Sequence, residues 1–237
     1  MQSFPEGFRA LVLGASGALG AALVAQLDAD PRCARVMGLG RPGRMADACA
    51  PPIDFDDQGS VAAAAQALIA GGPFHLIVNA TGVLHGAGFM PEKRLGQLNY
   101  AQMEATFRAN AFGPALVLAH FAPLLDRDRG VLAVLSAKVG SIGDNRLGGW
   151  YSYRASKAAL NMFLKTAAIE VQRSNPNAVL VALHPGTVDS ALSAPFRGAE
   201  IGRPAPDAAA DLLRVIDGLT PADTGSFRAY SGDTLPW

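Results

Sequence analysis

The chain is short of charge, of cysteine and of long apolar runs, and each shortage argues against a class of protein. Its 20 basic residues are balanced by 20 acidic ones, so no basic field is available to attract nucleic acid or an anionic membrane surface. Cys33, Cys49 and the four histidines follow no metal-ligand spacing. No apolar run approaches the ~20 residues of a membrane span, and the first residues lack a signal-peptide pattern. We therefore expect a cytoplasmic protein that binds no nucleic acid, membrane or metal.

Half of the residues are hydrophobic, enough for a sizeable core, and they fall into short runs separated by helical patterns. Short runs without polar alternation predict strands buried on both faces, and intervening helices predict parallel βαβ units. We expect one α/β domain over residues 1–237, a doubly wound parallel sheet of about seven strands with helices on both faces. The predicted strands are 10–13, 36–39, 53–55, 76–78, 131–135, 179–183 and 227–230.

A glycine-rich loop follows the first predicted strand and precedes an alanine-rich helical stretch. Gly14 permits a tight turn, Gly17 lets the backbone approach a pyrophosphate, and Gly20 lets the helix pack close to the sheet. The helix N-terminus supplies free N–H groups and a positive dipole end. This context favours a dinucleotide site of the Rossmann type over a simple turn in an alanine- and glycine-rich protein. The residues expected to contact the cofactor are Gly14, Ser16, Gly17, Ala18, Leu19 and Gly20.

The end of the second predicted strand carries no acidic residue. Sites specific for NAD(H) place an aspartate or glutamate there for the ribose 2′-hydroxyl, whereas this chain has Arg41. A guanidinium pairs well with a 2′-phosphate, although a solvated surface arginine is common. The sequence therefore favours NADP(H) over NAD(H), with Arg44 as a second candidate contact.

An acidic cluster begins in the third predicted strand, residues 53–55, and continues just beyond it. Asp54 is a candidate acceptor for the adenine amino group, with Phe55 beside the ring. The competing interpretation of the cluster is a helix cap at Asp56 or Asp57.

Tyr153 and Lys157 are the candidate acid–base pair. They stand four residues apart in a predicted helix and so share one face. A free tyrosine, with a pKa of about 10, is a poor acid–base group near neutral pH, and a nearby ammonium lowers that pKa by stabilising the phenolate. Pairs of this kind are frequent by chance, and the upstream glycine loop is what favours the catalytic interpretation.

These motifs, in this order, resemble the short-chain dehydrogenase/reductase family over nearly the whole chain. Residues 79–82 resemble the family's Asn-Asn-Ala-Gly, Asn110 matches its catalytic asparagine, and residues 184–190 match its Pro-Gly segment. Three further stretches look like the subgroup of C-factor-like and sniffer-like carbonyl reductases, namely residues 143–151, 154–161 and 231–237.

The resemblance implies a chemistry and a set of contacts. Hydride passes between nicotinamide and a small carbonyl or alcohol substrate, and Tyr153 exchanges the proton. Lys157 lowers the Tyr153 pKa and binds the nicotinamide ribose, while Asn110 holds a water that links Lys157 to solvent. The resemblance also implies a homodimer or homotetramer. The further cofactor contacts that it implies are Asn79, Ala80, Thr81, Gly82, Pro185, Gly186, Thr187, Val188 and Ser190.

The chain departs from the family pattern at the catalytic serine. If Gly140 aligns with the family's glycine, Ala137 stands at the position of that serine and Ser136 at that of its predecessor. Ser136 in the role, Ser141 reaching in from the loop, and no serine at all are the alternatives. We favour Ser136 as the hydroxyl that polarises the carbonyl. Many family members also have a glycine where this chain has Ala18.

Two other functions stay open at the level of the sequence. A dinucleotide-binding sensor or signalling protein with little turnover gains weight from Ala137. A nucleotide-sugar reductase or epimerase loses weight because only residues 186–237 follow the Pro-Gly proline.

Several residues near these motifs have two interpretations. Residues 191–206 are a candidate lid over the substrate. Trp150 and Tyr151 are candidates for the pocket or for packing against that lid. Met162 and Phe163 are candidates for the core or for a subunit interface.

Overall fold

Six parallel strands form one sheet in the computed structural model, which describes residues 1–43 and 50–237. The strands are β1 (Phe8–Leu13), β2 (Cys33–Leu39), β3 (Leu76–Asn79), β4 (Val131–Leu135), β5 (Val179–His184) and β6 (Ser226–Ala229). Their order across the sheet is β2-β1-β3-β4-β5-β6. The chain runs from β1 outward to β2 and then returns to build β3 on the other side of β1. The direction of winding therefore reverses between β1 and β3, where sheets of this kind form a crevice.

Helices cover both faces of the sheet. They are α1 (Ala18–Asp28), α2 (Gln58–Leu68), α3 (Tyr100–Phe107), α4 (Gly113–Phe121), α5 (Tyr151–Ser174), α6 (Gly198–Ile201) and α7 (Ala205–Asp217), with a π-helical turn at Arg108–Phe112. One core packs α2, α4 and α5 against the sheet, and a second packs α1 and α7 against the opposite face. No helix within the described ranges combines the length and the apolar character needed to cross a membrane.

Alternate residues of each strand supply the two cores. In β1, Leu11 and Leu13 face the first core, whereas Ala10 and Val12 face the second. Both sets are fully buried, which is why the sequence shows continuous apolar runs rather than alternation. The predicted doubly wound parallel sheet with helices on both faces is confirmed.

The prediction of about seven strands is wrong by one, because residues 53–55 join no strand of the described sheet. Pro51 and Pro52 precede them and carry no N–H for a ladder. The Ile53 N–H donates to Gly40 O at 3.0 Å, and the Ile53 side chain is still buried in the first core. The hydrophobic signal was therefore real, although the backbone bonding that defines a strand is missing.

Arg44, the second candidate for the 2′-phosphate, and Cys49 lie outside the described residues.

Candidate active site

The loop between β1 and α1 forms a cradle that depends on its glycines. Gly14 has a φ of +82°, and its N–H and that of Ala15 donate to Leu39 O at 2.8 and 3.2 Å. A Cβ on Gly20 would lie 2.2 Å from the Gly14 carbonyl oxygen, so only glycine lets α1 pack this close. Gly17 precedes α1 without a side-chain cap, and the first turn holds no acidic residue. The helix therefore offers its unpaired N–H groups to an anion.

A cavity of about 920 Å³ extends from this cradle along the carboxyl edge of the sheet. Asn79 and Asn110 lie behind its wall and are fully buried. Within residues 1–43 and 50–237, the cavity included, no three histidine, cysteine or acidic side chains cluster as metal ligands. The predicted site residues that line the cavity are Gly14, Ser16, Gly17, Ala18, Leu19, Gly20, Arg41, Asp54, Phe55, Ala80, Thr81, Gly82, Ser136, Tyr153, Lys157, Pro185, Gly186, Thr187, Val188 and Ser190.

The end of the cavity beyond β2 carries the residues predicted for the adenosine half of a dinucleotide. Arg41 lies two residues after the end of β2 and is exposed. Asp54 accepts the Asp56 N–H at 3.0 Å. The Phe55 ring packs against Gly113, where a Cβ would come within 2.2 Å of it. Phe55 is thus held by the start of α4, with Asp54 beside it on the cavity wall.

One member of the acidic cluster caps a helix. The Asp57 carboxylate accepts the Gly59 N–H at 2.8 Å at the start of α2, which confirms the cap interpretation for this residue.

Asn79 shapes the chain where β3 ends. Its Oδ1 accepts the N–H and the hydroxyl of Thr81 at 3.1 and 2.6 Å. The intervening Ala80 donates its N–H to Leu13 O at 2.9 Å, which extends the pairing of β3 with β1. These bonds turn the backbone of residues 80–82 along the cavity.

Asn110 lies on the π-helical turn and holds the next part of that segment. Its Oδ1 accepts the Val83 N–H and its Nδ2 donates to Val83 O, both at 2.8 Å. A Cβ on Gly82 would lie 3.4 Å from Asn110 Oδ1 and 3.5 Å from Lys157 Nζ. Asn110 and Lys157 therefore converge on Gly82, where the missing side chain leaves space.

Tyr153 and Lys157 share one face of α5, and both are buried. The Lys157 Nζ lies 6.0 Å from the centre of the Tyr153 ring and donates to Leu135 O at 2.9 Å. Burial lowers the pKa of Lys157 to about 8 and raises the pKa of Tyr153 to about 12. Burial thus moves the Tyr153 pKa in the direction opposite to the lowering that the family resemblance implies.

The two candidate serines have different surroundings. Ser136 lines the cavity, and its hydroxyl donates to Asn161 Oδ1 on α5 at 2.7 Å. Ser141 is buried, and its hydroxyl donates to Trp237 O at 3.2 Å and accepts a backbone N–H at 3.1 Å. Ala137 also lines the cavity. Of the two serines, Ser136 is therefore the one that lines the cavity, while its hydroxyl makes a buried bond to α5.

An aromatic wall, made of Trp150, Phe196 and His85, closes the cavity near Tyr153. The Trp150 ring centre lies 6.1 Å from that of Tyr153, in an edge-on arrangement, and 5.0 Å from that of Phe196. The His85 ring centre lies 6.1 Å from that of Phe196. Trp150 thus lines the cavity and also packs against Phe196 of the 191–206 segment.

The structure also decides between the core and the surface for Met162 and Phe163. Met162 and Phe163 are 67% and 42% exposed, so they do not belong to the core.

Sequence reasoning did not single out Phe196 or Glu92. Glu92 is buried and bonds Ser152, 60 residues away, and no local pattern marks a contact of that span.

The class of protein that this cavity defines is a dinucleotide-dependent oxidoreductase, because a phosphate cradle at a helix N-terminus opens onto a buried Tyr–Lys pair. A family model described as short chain dehydrogenase matches residues 9–200. The chain belongs to the short-chain dehydrogenase family.

Two curated relatives cover most of the chain. It is 38% identical over 169 residues to the C-signal of Myxococcus xanthus, which is 70% of this chain and 94% of the relative. It is 35% identical over 187 residues to the 1-hydroxy-2-glutathionyl-2-methyl-3-butene dehydrogenase of Rhodococcus sp. (strain AD45), 79% of either chain.

Solved structures share the fold over nearly the full length. The carbonyl reductase Sniffer of D. melanogaster superposes with a TM-score of 0.84 at 21% identity, covering 99% of this chain and 100% of that one. A short-chain dehydrogenase/reductase from Burkholderia multivorans, solved with bound NADP, gives 0.80 at 27% identity, covering 97% and 99%. The resemblance to C-factor-like and sniffer-like proteins is confirmed.

The lowered pKa of Lys157 predicts a stability that rises with pH. The folded chain releases this proton near pH 8, whereas the unfolded chain holds it up to 10.5. Between these values the unfolded state binds more protons, so the free energy of unfolding increases with pH through this window. In Lys157→Met this part of the increase is lost. Urea denaturation of both proteins across the window measures it.

Lys165→Met is the matched control, because Lys165 also lies on α5 and donates to a backbone carbonyl, Gly225 O, at 3.1 Å. It should keep the wild-type pH dependence. Parallel curves for wild type and Lys157→Met would contradict the assignment.

Proposed function

We propose that the chain is an NADP(H)-dependent reductase of small carbonyl compounds in which Tyr153 is the general acid. The observation that carries this proposal is that the Tyr153–Lys157 face of α5 opens into the same cavity as the glycine cradle. The dehydrogenase relative and the NADP-containing neighbour support it. The raised pKa of Tyr153 suits the reductive direction, because a phenol that keeps its proton can donate it.

The residues around the cavity fit a dinucleotide. The 14–20 loop would hold the pyrophosphate at the N-terminus of α1, and Arg41 would pair with the 2′-phosphate. Gly82, Lys157 and the backbone of residues 185–188 would bind the nicotinamide half. When bound, this cofactor supplies the two electrons of the reduction as hydride.

The chain's own groups supply the proton and the polarisation. The Tyr153 phenol donates its proton to the carbonyl oxygen, and in the oxidative direction its phenolate accepts one. The Ser136 hydroxyl would exchange its bond to Asn161 Oδ1 for one to the same oxygen as negative charge develops there. The Lys157 ammonium lies close enough to stabilise the phenolate that remains after proton transfer. The aromatic wall keeps water from the reacting atoms.

The first test replaces the proposed acid. Tyr153→Phe removes the phenolic proton but keeps the ring, so NADPH oxidation followed at 340 nm with aldehydes, ketones and quinones should fall by at least ~10²-fold. NADPH binding, measured by calorimetry, should stay within about threefold. Equal turnover by mutant and wild type would remove Tyr153 from the mechanism.

The second test replaces Arg41 and measures the preference for NADPH over NADH. A charge-assisted bond to the 2′-phosphate contributes ~1.5–3 kcal/mol, so Arg41→Ala should raise KM for NADPH at least ~10-fold while leaving KM for NADH nearly unchanged. Arg35→Ala, an exposed arginine of the same strand β2, is the control and should change neither. An equal change for both cofactors would reject the NADP(H) preference.

The two serines can be separated in the same assay. Ser136→Ala should lower kcat by ~10²–10³-fold, the usual effect of losing one oxyanion donor. Ser141→Ala should change kcat little, because its hydroxyl is bonded to Trp237 O and lies off the cavity surface. The reverse result would transfer the role to Ser141.

A second candidate function is a dinucleotide-binding sensor or signalling protein with little turnover. Ala137 at the expected position of the family's serine favours it, as does the likeness to a protein named C-signal. NADPH binding without turnover by wild type on the carbonyl panel would support this alternative. Restored turnover in Ala137→Ser would then identify the missing hydroxyl as the cause.

We also propose that the chain is a homodimer or homotetramer. Phe112, the last residue of the π-helical turn that carries Asn110, is 50% exposed, and Met162 and Ile169 on α5 are 67% and 51% exposed. Apolar side chains grouped on packed helices favour association with a second copy. Met162→Asp should shift the assembly to monomer in sedimentation equilibrium, whereas Ile69→Asp, exposed at the end of α2, should not. A monomeric wild type at micromolar concentration would refute the proposal.

A further inference from the structure

Helix α5 begins without a cap of its own. Trp150, the residue before it, has a left-handed backbone (φ +54°, ψ +44°) and no side-chain bond to the first turn. The first N–H groups of a helix need acceptors from elsewhere, and buried ones cannot turn to water. Ser152, in this first turn, is 2% exposed.

Glu92 supplies the missing cap from a distant loop. One carboxylate oxygen accepts the Ser152 N–H at 3.1 Å, and the other accepts the Ser152 hydroxyl. The backbone carbonyl of Glu92 accepts the Trp150 N–H. A single residue, itself 2% exposed, thus holds three donors at the start of α5. A carboxylate at this end also matches the direction of the helix dipole.

The segment that carries Glu92 also forms the substrate side of the cavity. His85, Gly86 and Phe89 line the cavity a few residues before Glu92. The His85 ring also contacts the segment on the opposite side, with Nε2 3.2 Å from Ala191 O. The contact of Glu92 with Ser152 and Trp150 therefore joins the substrate side to the turn that carries Tyr153.

We propose that Glu92 is a positioning residue that sets the first turn of α5, and with it Tyr153 and the Trp150 ring, against the substrate side of the cavity. Glu92 touches none of the reacting groups and acts through Ser152 and Trp150. Its effect on turnover rests on the proposed function. Its effect on the first turn of α5 does not.

Two variants separate hydrogen bonding from simple filling of space. Glu92→Ala removes both side-chain contacts, and kcat should fall at least ~10-fold, because misplacement of a catalytic group by 1 Å costs about 10²-fold. Its KM for NADPH should stay within about twofold, because the cradle of residues 14–20 lies at β1 and α1. Glu92→Gln keeps one oxygen for the Ser152 N–H and presents an amide to its hydroxyl, so kcat should recover to within about threefold of wild type.

Hydrogen exchange gives a readout that is independent of turnover. In Glu92→Ala the amides of residues 150–154 should exchange at least ~10-fold faster, while those of the second half of α5 keep wild-type protection. Asp223→Ala is the matched control. Asp223 accepts the N–H and the hydroxyl of Thr220 at 2.8 and 2.9 Å, before β6 and so at the opposite edge of the parallel sheet. This control should leave kcat and exchange in residues 150–154 unchanged.

The exchange rates and kcat together show whether Glu92 positions the first turn of α5. Faster exchange in residues 150–154 together with a lower kcat supports it. Faster exchange with an unchanged kcat, or unchanged exchange in Glu92→Ala, overturns it. If wild type reduces no carbonyl, the proposed function fails, and exchange alone decides whether Glu92 sets the first turn. If Glu92→Ala does not fold, Ser152→Ala, which removes only the hydroxyl contact, should show the same two changes at smaller size, and their absence overturns the proposal.

Discussion

The packing of α5 against the end of β4 is the contact on which the rest of the site depends. Lys157 Nζ donates to Leu135 O, the last residue of β4, and this bond fixes how far α5 extends past the sheet. Gly140 makes the approach possible, because a Cβ there would lie 2.6 Å from Lys157 Cβ. The same contact buries Lys157 and Tyr153 together, so one piece of packing both places the pair and moves their pKa values in opposite directions.

The fold could be predicted from the sequence wherever strands are buried on both faces. Residues 131–135 were predicted as a strand and form β4 with the same bounds, since every side chain in it is buried. β2 begins at Cys33, before the predicted residues 36–39, because its first half is partly exposed and its composition is mixed. Residues 53–55 were wrongly predicted as a strand because a buried residue such as Ile53 gives the same hydrophobic pattern as a strand. The hydrogen bonds between strands need backbone N–H groups, which the preceding Pro51 and Pro52 lack.

The residues of the site likewise fall into those that a local sequence pattern marks and those that only the folded chain brings together. The glycine cradle and the Tyr153–Lys157 pair are local sequence patterns, and in the structure both line one cavity. Contacts between distant segments were beyond sequence reasoning: Glu92 with Ser152, and the Ser141 hydroxyl with Trp237 O, which span 60 and 96 residues. The raised pKa of Tyr153 was missed for the same reason, because burial is a property of the packed chain and no motif records it.

The left-handed backbone of Trp150 has a consequence for anyone who wishes to reshape this cavity. A side chain in that conformation costs about 1–3 kcal/mol, a cost that glycine escapes. The ring contacts with Tyr153 and Phe196 offset part of that cost. Truncation to alanine would keep the strain and lose the contacts, whereas glycine would lose the contacts and release the strain. An engineer who wants to admit a bulkier molecule should therefore choose glycine at this position, which is the N-cap of α5 and where glycine is also preferred to alanine.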